Sequence, residues 1–475
     1  MKKILFVGAE AVPFASTGGL GDVLGSLPAA LMSTGADVDV RVALPMHRAI
    51  SEKYKDKMTM VAEFTVPLSW RRQYCGVWEY KLGGVTYYFI DNEYYFRRAS
   101  LYGEFDDGER YAYFCKAVLE MLPRIGFMPD VLHAHDWQSA PAVIYLKRKY
   151  CYLDEYAHMK AVYTIHNIGY QGIYGFDILG DVFELDSWDR YVVEYDGCIN
   201  LTKGAIVCCD KLTTVSPNYA NEIQNEYYSH GLHHVIRMYN SKCLGIVNGI
   251  DTDYYNPVTD TEIVKNFSLD TIEVKAQNKR ALQESFGLPV RDDVPLIAMV
   301  SRLASHKGFD LVKCVAHDIL SDDVQLILLG TGEAELEAFF CELAHRYPDK
   351  CAVRLAFDKA LAKQIYASAD IFLMPSKSEP CGLAQMIASR YGTVPVVRET
   401  GGLYDTIKPY NPMSGDGNGV TFVTYNAHDM LDAVRRACAF YRDGEAWRKL
   451  VANAMSVDFS WKASAIKYLE MYDAI

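Results

Sequence analysis

Glu379 stands in a short polar turn, Ser376-Lys377-Ser378-Glu379-Pro380. The turn follows the apolar run Ile371–Met374 and Pro375. That run reads as a buried strand, and Cys381-Gly382-Leu383 opens a helix expected to reach about Tyr391. A strand, polar loop and helix in that order place the loop at the carboxyl edge of a parallel sheet, where open α/β folds bind ligands. The helix start offers free N–H groups that suit phosphates or sugar hydroxyls. Taken alone, Glu379 also fits an ordinary acidic residue at a helix N-terminus.

Other stretches carry similar chemistry. Arg302 and Lys307 lie on one elbow, Ser301-Arg302-Leu303-Ala304-Ser305-His306-Lys307-Gly308, able to grip a diphosphate from two sides. Near the start, Ser16-Thr17-Gly18-Gly19-Leu20-Gly21-Asp22 joins a strand to a helix expected from Val23 to Met32. It is neither GxGxxG nor a P-loop. Either a ligand approaches the backbone there or the turn simply needs positive φ. The pattern TGGLxD recurs at Thr400-Gly401-Gly402-Leu403-Tyr404-Asp405. His133-Ala134-His135-Asp136-Trp137 ends a strand, and so does His166-Asn167. Two His at i and i+2 share a strand face. With no second ligand pair at metal spacing, a hydrogen-bonding cluster is the expectation there. Asp37-Val38-Asp39 looks like a metal-binding DxD but reads better as the outer side of an edge strand.

Strands alternate with helices to position these residues. Strands are expected at Lys2–Val7, Asp37–Leu44, Asp130–His135, Lys160–Ile165 and Cys243–Val247 in one half. The second series has Leu296–Val300, Val324–Leu329, Ala352–Ala356, Ile371–Met374 and Val394–Val397. Met60–Asp91 resembles an inserted β-meander, and Arg110–Ile125 an amphipathic helix. Asn248-Gly249-Ile250-Asp251 is a turn, and Thr252–Pro257 has the look of a linker. The fold class is α/β: two doubly wound parallel sheets, each with a TGGLxD loop at its edge, facing across a cleft. Helices from about His428, Glu445 and Lys462 end the chain.

The totals narrow the function. With 475 residues, two or three domains fit. A net charge of −12 argues against a general nucleic-acid or anionic-membrane surface. A phosphorylated ligand remains compatible, because a few placed cations suffice. Twelve Cys without a CxxC pair suit a reducing cytosol. The opening MKKILFVGAE has too short an apolar run for a signal peptide, and no stretch reaches a membrane-spanning length.

Seven stretches, in order, resemble one family. They are TGGLGD at 17–22, HAHDW at 133–137, HNIGYQG at 166–172, VNGID at 247–251, SRLASHKG at 301–308, PSKSEPCGL at 375–383 and TGGLYD at 400–405. The chain resembles bacterial glycogen synthases and plant starch synthases, which extend α-1,4-glucan from ADP-glucose. The resemblance implies a GT-B fold. The acceptor-side domain would be 1–244 and the donor domain 245–456, with helices at about 457–475 crossing back. It implies retention of anomeric configuration, no metal and no cofactor, and as partners a nucleotide sugar and an α-glucan.

By the same likeness, Arg302 and Lys307 would hold the leaving phosphate. N–H groups at Thr400, Gly401, Gly402 and Leu403 would assist, and Ser16, Gly18, Gly19, Cys381, Gly382 and Leu383 would line the donor. Glu379 would accept hydrogen bonds from glucose hydroxyls. His166 would lie beside the C6 hydroxyl. Asp136, Asp22, Glu10 and Asn167 would line the acceptor and sugar side, with Asn248 facing glucose or diphosphate. The residue eight beyond Glu379, where some related transferases carry a second Glu, is Ile387. Ser16 departs from the family's usual Lys. That keeps UDP-glucose, another glucan linkage and a non-catalytic glucan-binding homologue in view. A phosphorylase-like enzyme would need a pyridoxal-phosphate lysine, and a nicotinamide enzyme lacks its glycine fingerprint.

Overall fold

Apolar runs bounded by glycine or polar turns become the strands, and their neighbours decide which face each must bury. The computed structural model describes residues 1–475, which form two compact units: Met1–Gly249 with Trp461–Ile475, and Ile250–Ser460. These joins lie a few residues beyond the divisions expected at 244/245 and 456/457. Thr252–Pro257, expected as a linker, belongs wholly to the second unit.

The first unit is built on β1 (Lys2–Val7), β2 (Val38–Pro45), β3 (Thr59–Leu68), β4 (Arg71–Leu82), β5 (Val85–Asp91), β6 (Val131–His135) and β7 (Lys160–Ile165). A small separate sheet holds β8 (Ile173–Tyr174), β9 (Glu194–Tyr195) and β10 (Cys198–Asn200), and β11 (Lys211–Thr214) and β12 (Cys243–Gly245) return to the main one. The main sheet runs β12-β11-β7-β6-β1-β2-β5-β4-β3. It is parallel from β12 through β5, and β4 and β3 extend it antiparallel. Strand order reverses between β1 and β6, which is the topological switch point. The last helix, Trp461–Asp473, packs on Gly19–Ser33, so Tyr468 and Tyr472 enter the same core as Ile4, Phe6, Leu24 and Leu27.

The second unit is a six-stranded sheet of β13 (Leu296–Val300), β14 (Gln325–Leu329), β15 (Cys351–Arg354), β16 (Ile371–Met374), β17 (Val394–Arg398) and β18 (Val420–Phe422). Its order, β15-β14-β13-β16-β17-β18, is parallel throughout and reverses between β13 and β16. Ile297, Leu326, Leu328 and Leu373 pack against the helices Phe309–Ser321 and Ala427–Arg442. The two doubly wound, parallel-rich sheets are those expected of a GT-B fold.

Three expectations need correction. The first glycine loop is shorter than anticipated, because the helix begins at Gly19 rather than Val23. β2 is an interior strand between β1 and β5, not an edge. Asp39 pairs there with Arg41 at 2.8 Å, and Asp37 with the Met1 amino group at 2.6 Å. The helix Asp107–Arg124 is buried on almost every side rather than amphipathic, because β3, β5 and the helix Ala140–Arg148 all pack on it. Residues 59–91 form the expected meander, as β3, β4 and β5, and through β5 they continue the main sheet. Sequence reading also missed the helices Lys275–Phe286 and Lys359–Ser368, which pack against each other.

Candidate active site

In the second unit the switch point brings together the loops after β13 and β16. After β13, Arg302 is exposed; its carbonyl accepts from Ala304 N–H, and its guanidinium has no hydrogen bond or ion pair within the protein. Ser305–Lys307 forms one 3-10 turn, closed by Gly308 at φ +79°. A Cβ on Gly308 would stand 2.0 Å from the Pro375 carbonyl oxygen. Only glycine lets the two loops approach this closely. The approach carries Lys307 onto Glu379: its Nζ donates to Oε1 at 2.9 Å and Oε2 at 2.7 Å. Ser376 Oγ donates to Oε2 at 3.0 Å. Glu379 is only 6% exposed, so its charge is met by these partners rather than by bulk water. Arg398, at the end of β17, donates to the carbonyls of Ser376 at 2.9 Å and Lys377 at 2.6 Å and fixes the loop from behind.

The second TGGLxD segment packs on the same loop. Cβ atoms on Gly401 and Gly402 would stand 2.0 Å and 2.1 Å from the carbonyl oxygens of Glu379 and Cys381. Gly402 N–H donates to the Glu379 and Pro380 carbonyls, each at 3.1 Å, and Leu403 N–H to Thr400. Thr400 N–H donates to Arg398. Of these, the Gly402 N–H holds the Glu379 loop, while those of Leu403 and Thr400 bond to the helix start and to the end of β17. The helix Gly401–Thr406 begins at this motif. Beyond Glu379, Gly382 adopts φ +71°, and Gln385 Nε2 ties the Cys381 and Gly382 carbonyls to Thr406. Leu383 caps the helix Ala384–Arg390. Ile387 is a buried apolar side chain.

In the first unit, Glu10 follows β1 and is buried. Its Oε2 accepts from Thr17 N–H at 2.6 Å and Thr17 Oγ1 at 2.8 Å, and its Oε1 from Gly21 N–H at 3.2 Å. Glu10 therefore folds the glycine loop rather than presenting a free carboxylate. Burial raises its pKa, and these bonds offset part of the rise. Ser16 is exposed, and its hydroxyl donates to the Gly18 carbonyl at 3.2 Å. No atom lies within 4 Å of where a Cβ on Gly18 would stand, so this face of the loop is open. Gly19 and Asp22 lie in the first turn of the following helix.

Across the switch point, β6 ends at His135, and Asp136 turns the chain with φ +58°. Its Oδ1 accepts from His166 N–H at 2.7 Å and Asn167 N–H at 3.4 Å, which joins the ends of β6 and β7. Burial pushes the Asp136 carboxyl up to about 7 and the His166 imidazole down to about 3. Neutral His166 is thus the form present near pH 7. Asn167 Oδ1 accepts from Gly169 N–H at 2.9 Å and leaves its amide NH2 for other partners. Asn248 is buried, and its side-chain oxygen has no donor. That oxygen is suited to a ligand hydroxyl.

Residues 3–238 match the family described as starch synthase catalytic domain, and residues 282–454 match glycosyl transferases group 1. A glycogen synthase of Geobacillus thermodenitrificans is 51% identical over 477 residues, covering 100% of this chain and 98% of the relative. The chain belongs to the glycogen and starch synthase family. A Bacillus cereus glycogen synthase is 49% identical over 476 residues, with 99% of each chain covered. Among solved structures, the catalytic domain of starch synthase IV from Arabidopsis thaliana, bound to ADP and acarbose, superposes with a TM-score of 0.91 at 33% identity. The superposition covers 100% of this chain and 99% of that one. Sucrose-phosphate synthase from Thermosynechococcus elongatus, at TM-score 0.61 and 17% identity, shares the fold.

As a member of this family the protein is a glycosyltransferase. Each unit carries its candidate side chains beyond the carboxyl ends of parallel strands: β1, β6 and β7 in the first, β13 and β16 in the second. Sequence reading named Glu379, Lys307, Arg302, Asp136 and His166 but missed their supports. Ser376 lay inside a motif already noted, and Thr17 inside the first glycine loop. Arg398 showed only as a charge ending the apolar run Val394–Val397, with nothing in its spacing to say which way it reaches. No helix is long and apolar enough to cross a membrane.

Proposed function

We propose that this glycosyltransferase moves glucose from ADP-glucose to the non-reducing end of an α-1,4-glucan, with retention and without a metal or cofactor. The observation that carries the reading is the Lys307–Glu379 pair beside unpaired Arg302. A departing nucleoside diphosphate gathers negative charge, which a guanidinium and an ammonium on one elbow neutralise. Glu379 accepts hydrogen bonds from the glucose hydroxyls and meets positive charge developing on the sugar. Its pairing with Lys307 links the sugar end of the donor to the phosphate end. Neutral His166 meets the C6 hydroxyl, and Asn248 supplies an acceptor for glucose or diphosphate.

Retention through a covalent intermediate needs a second carboxylate as nucleophile. Ile387 offers none. The reading is therefore a same-face substitution: the C1–O bond to phosphate breaks, the acceptor hydroxyl attacks from that face, and its proton passes to the leaving phosphate. A glucosyl adduct on a protein carboxylate, seen by mass spectrometry, defeats this step.

The test is glucose transfer to glycogen from ADP-glucose and UDP-glucose side by side, with Glu379→Ala as control and EDTA in a parallel assay. ADP-glucose activity that is lost in the variant and insensitive to EDTA supports the reading. Preference for UDP-glucose assigns an altered donor site to the Ser16 loop. No transfer from either donor leaves a glucan-binding protein.

A further inference from the structure

His135 lies behind His166 and has no role in the reading above. Its ring is fully buried at the end of β6, stacked on Phe6 with centroids 5.1 Å apart and planes at 17°. Its Nδ1 lies 2.9 Å from His166 Nε2, so one of the two nitrogens carries the shared proton. Its Nε2 is buried and has no partner. The neighbouring His133 cannot supply one, because its own nitrogens face the Tyr472 hydroxyl and Thr164 Oγ1, each at 2.6 Å.

These contacts decide where the protons sit. If His166 donated from Nε2, neutral His135 would carry its proton on Nε2, as a buried N–H with no acceptor. Orphaned buried N–H groups are rarer than orphaned acceptors. The opposite arrangement leaves only a bare, buried ring lone pair. Burial keeps both imidazoles neutral by lowering their pKa values, so each ring has one proton to place.

We propose that His135 is a positioning residue that donates from Nδ1 to His166 Nε2 and holds His166 as its Nδ1–H tautomer. His166 Nδ1 makes no bond inside the protein, and His166 is only half-buried. The tautomer thus makes this nitrogen a fixed hydrogen-bond donor toward a substrate oxygen. Resting on the reading of His166 as the partner of the C6 hydroxyl, that oxygen is O6 of the transferred glucose. A donor sugar lacking the hydroxyl gains nothing from the arrangement.

The experiment has two arms. In the first, 15N-histidine-labelled protein is examined by 15N–1H correlation, with His166 and His135 assigned from single variants. The expected spectrum shows His166 with a protonated Nδ1 and a bare Nε2; a protonated Nε2 overturns the proposal without any assay of turnover. In the second arm, kcat/KM is measured with ADP-glucose and with its 6-deoxy analogue. His135→Phe keeps the ring volume and loses the donor, whereas His135→Asn keeps an N–H the same number of bonds from Cβ as Nδ1. His135→Phe is expected to slow ADP-glucose about tenfold, the worth of one ordinary hydrogen bond, and to spare the 6-deoxy donor. His135→Asn is expected to recover the rate to within about twofold. Equal losses for both variants and both donors overturn the positioning role. A confirmed tautomer with the rate recovered in His135→Asn, but with the His135→Phe loss equal on the two donors, overturns the C6 reading instead, so the two failures are distinct.

Discussion

Glu379 and Lys307 act as a pair, and their substitutions should not add. Glu379→Gln and Lys307→Met are each expected to lower kcat by about 10²–10³, the cost of removing one preorganised electrostatic contact. The double variant should be about as slow as the worse single one, because either change breaks the same unit. Losses that multiply would separate the roles. At Ser16 the sign is opposite. The loop lacks a cation near a ligand carrying about two negative charges, so Ser16→Lys is expected to lower the KM for the nucleotide sugar. An unchanged or higher KM removes Ser16 from the donor site. Asp136 carries a pH dependence of its own. The folded carboxyl holds its proton up to about pH 7, whereas an ordinary Asp titrates near 3.8. Between those values the native state binds more protons than the unfolded chain, so this group's contribution makes stability fall as pH rises. Asp136→Asn is expected to flatten that fall, read as urea midpoints at pH 5 and pH 7.

Element ends were legible where a buried strand met a polar or glycine turn. β1, β7, β13 and β16 match the apolar runs residue for residue. The misread elements share a cause: their surroundings are set by chain far away in sequence. β2 looked like an edge because its alternation is local, yet β5 closes its far side. Lys275–Phe286 was missed because Lys275, Asn278, Lys279 and Gln283 share its buried face with Leu282 and Phe286, which blurs the apolar period. Lys275 shows how that works. Its Nζ donates to the carbonyls of Tyr366 at 3.1 Å and Tyr391 at 2.9 Å and to Thr393 Oγ1 at 2.9 Å. Burial lowers its pKa to about 7 from 10.5. The unfolded chain then binds more protons between those values, and this contribution makes stability rise with pH across that window. Lys275→Met should remove the rise and leave buried carbonyls unmet, seen in melts at pH 7.5 and pH 9.5. Gly308 governs another element end. Gly308→Ala meets both a left-handed φ and the Pro375 carbonyl, and is expected to cost kcat through the displaced Lys307 as well as Tm.

For the whole molecule, the family and both sheets were readable because seven motifs fell at strand ends in a fixed order. The supports of the site were not. Thr17 and Ser376 bond the loop carboxylates and Arg398 the loop carbonyls, contacts that no local pattern encodes. The N–H groups of the second glycine segment were read as phosphate donors because a helix start offers them. The structure shows the Gly402 N–H bonded to the Glu379 loop, and those of Thr400 and Leu403 bonded to carbonyls nearer in the chain. The last helix crosses the greatest sequence distance. Tyr472 places its hydroxyl on His133 Nδ1, and Trp461, Tyr468 and Met471 fill the core beneath Gly19–Ser33. Deleting residues 461–475 is expected to lower the melting temperature, even though the deletion lies far in sequence from β1 and β6.

That last helix also sets a timetable for biosynthesis. A ribosome emits Met1–Gly249 first and must then make all of Ile250–Ser460 before Trp461 appears. The apolar side of Gly19–Ser33 stays bare through that interval, tens of seconds at roughly 5–20 residues per second. The second unit can complete its sheet on the ribosome, because every strand it needs has already been made. The first to be translated is thus the last to be finished. A stop codon just before Trp461 would release chains whose second unit resists protease and whose first unit is cut.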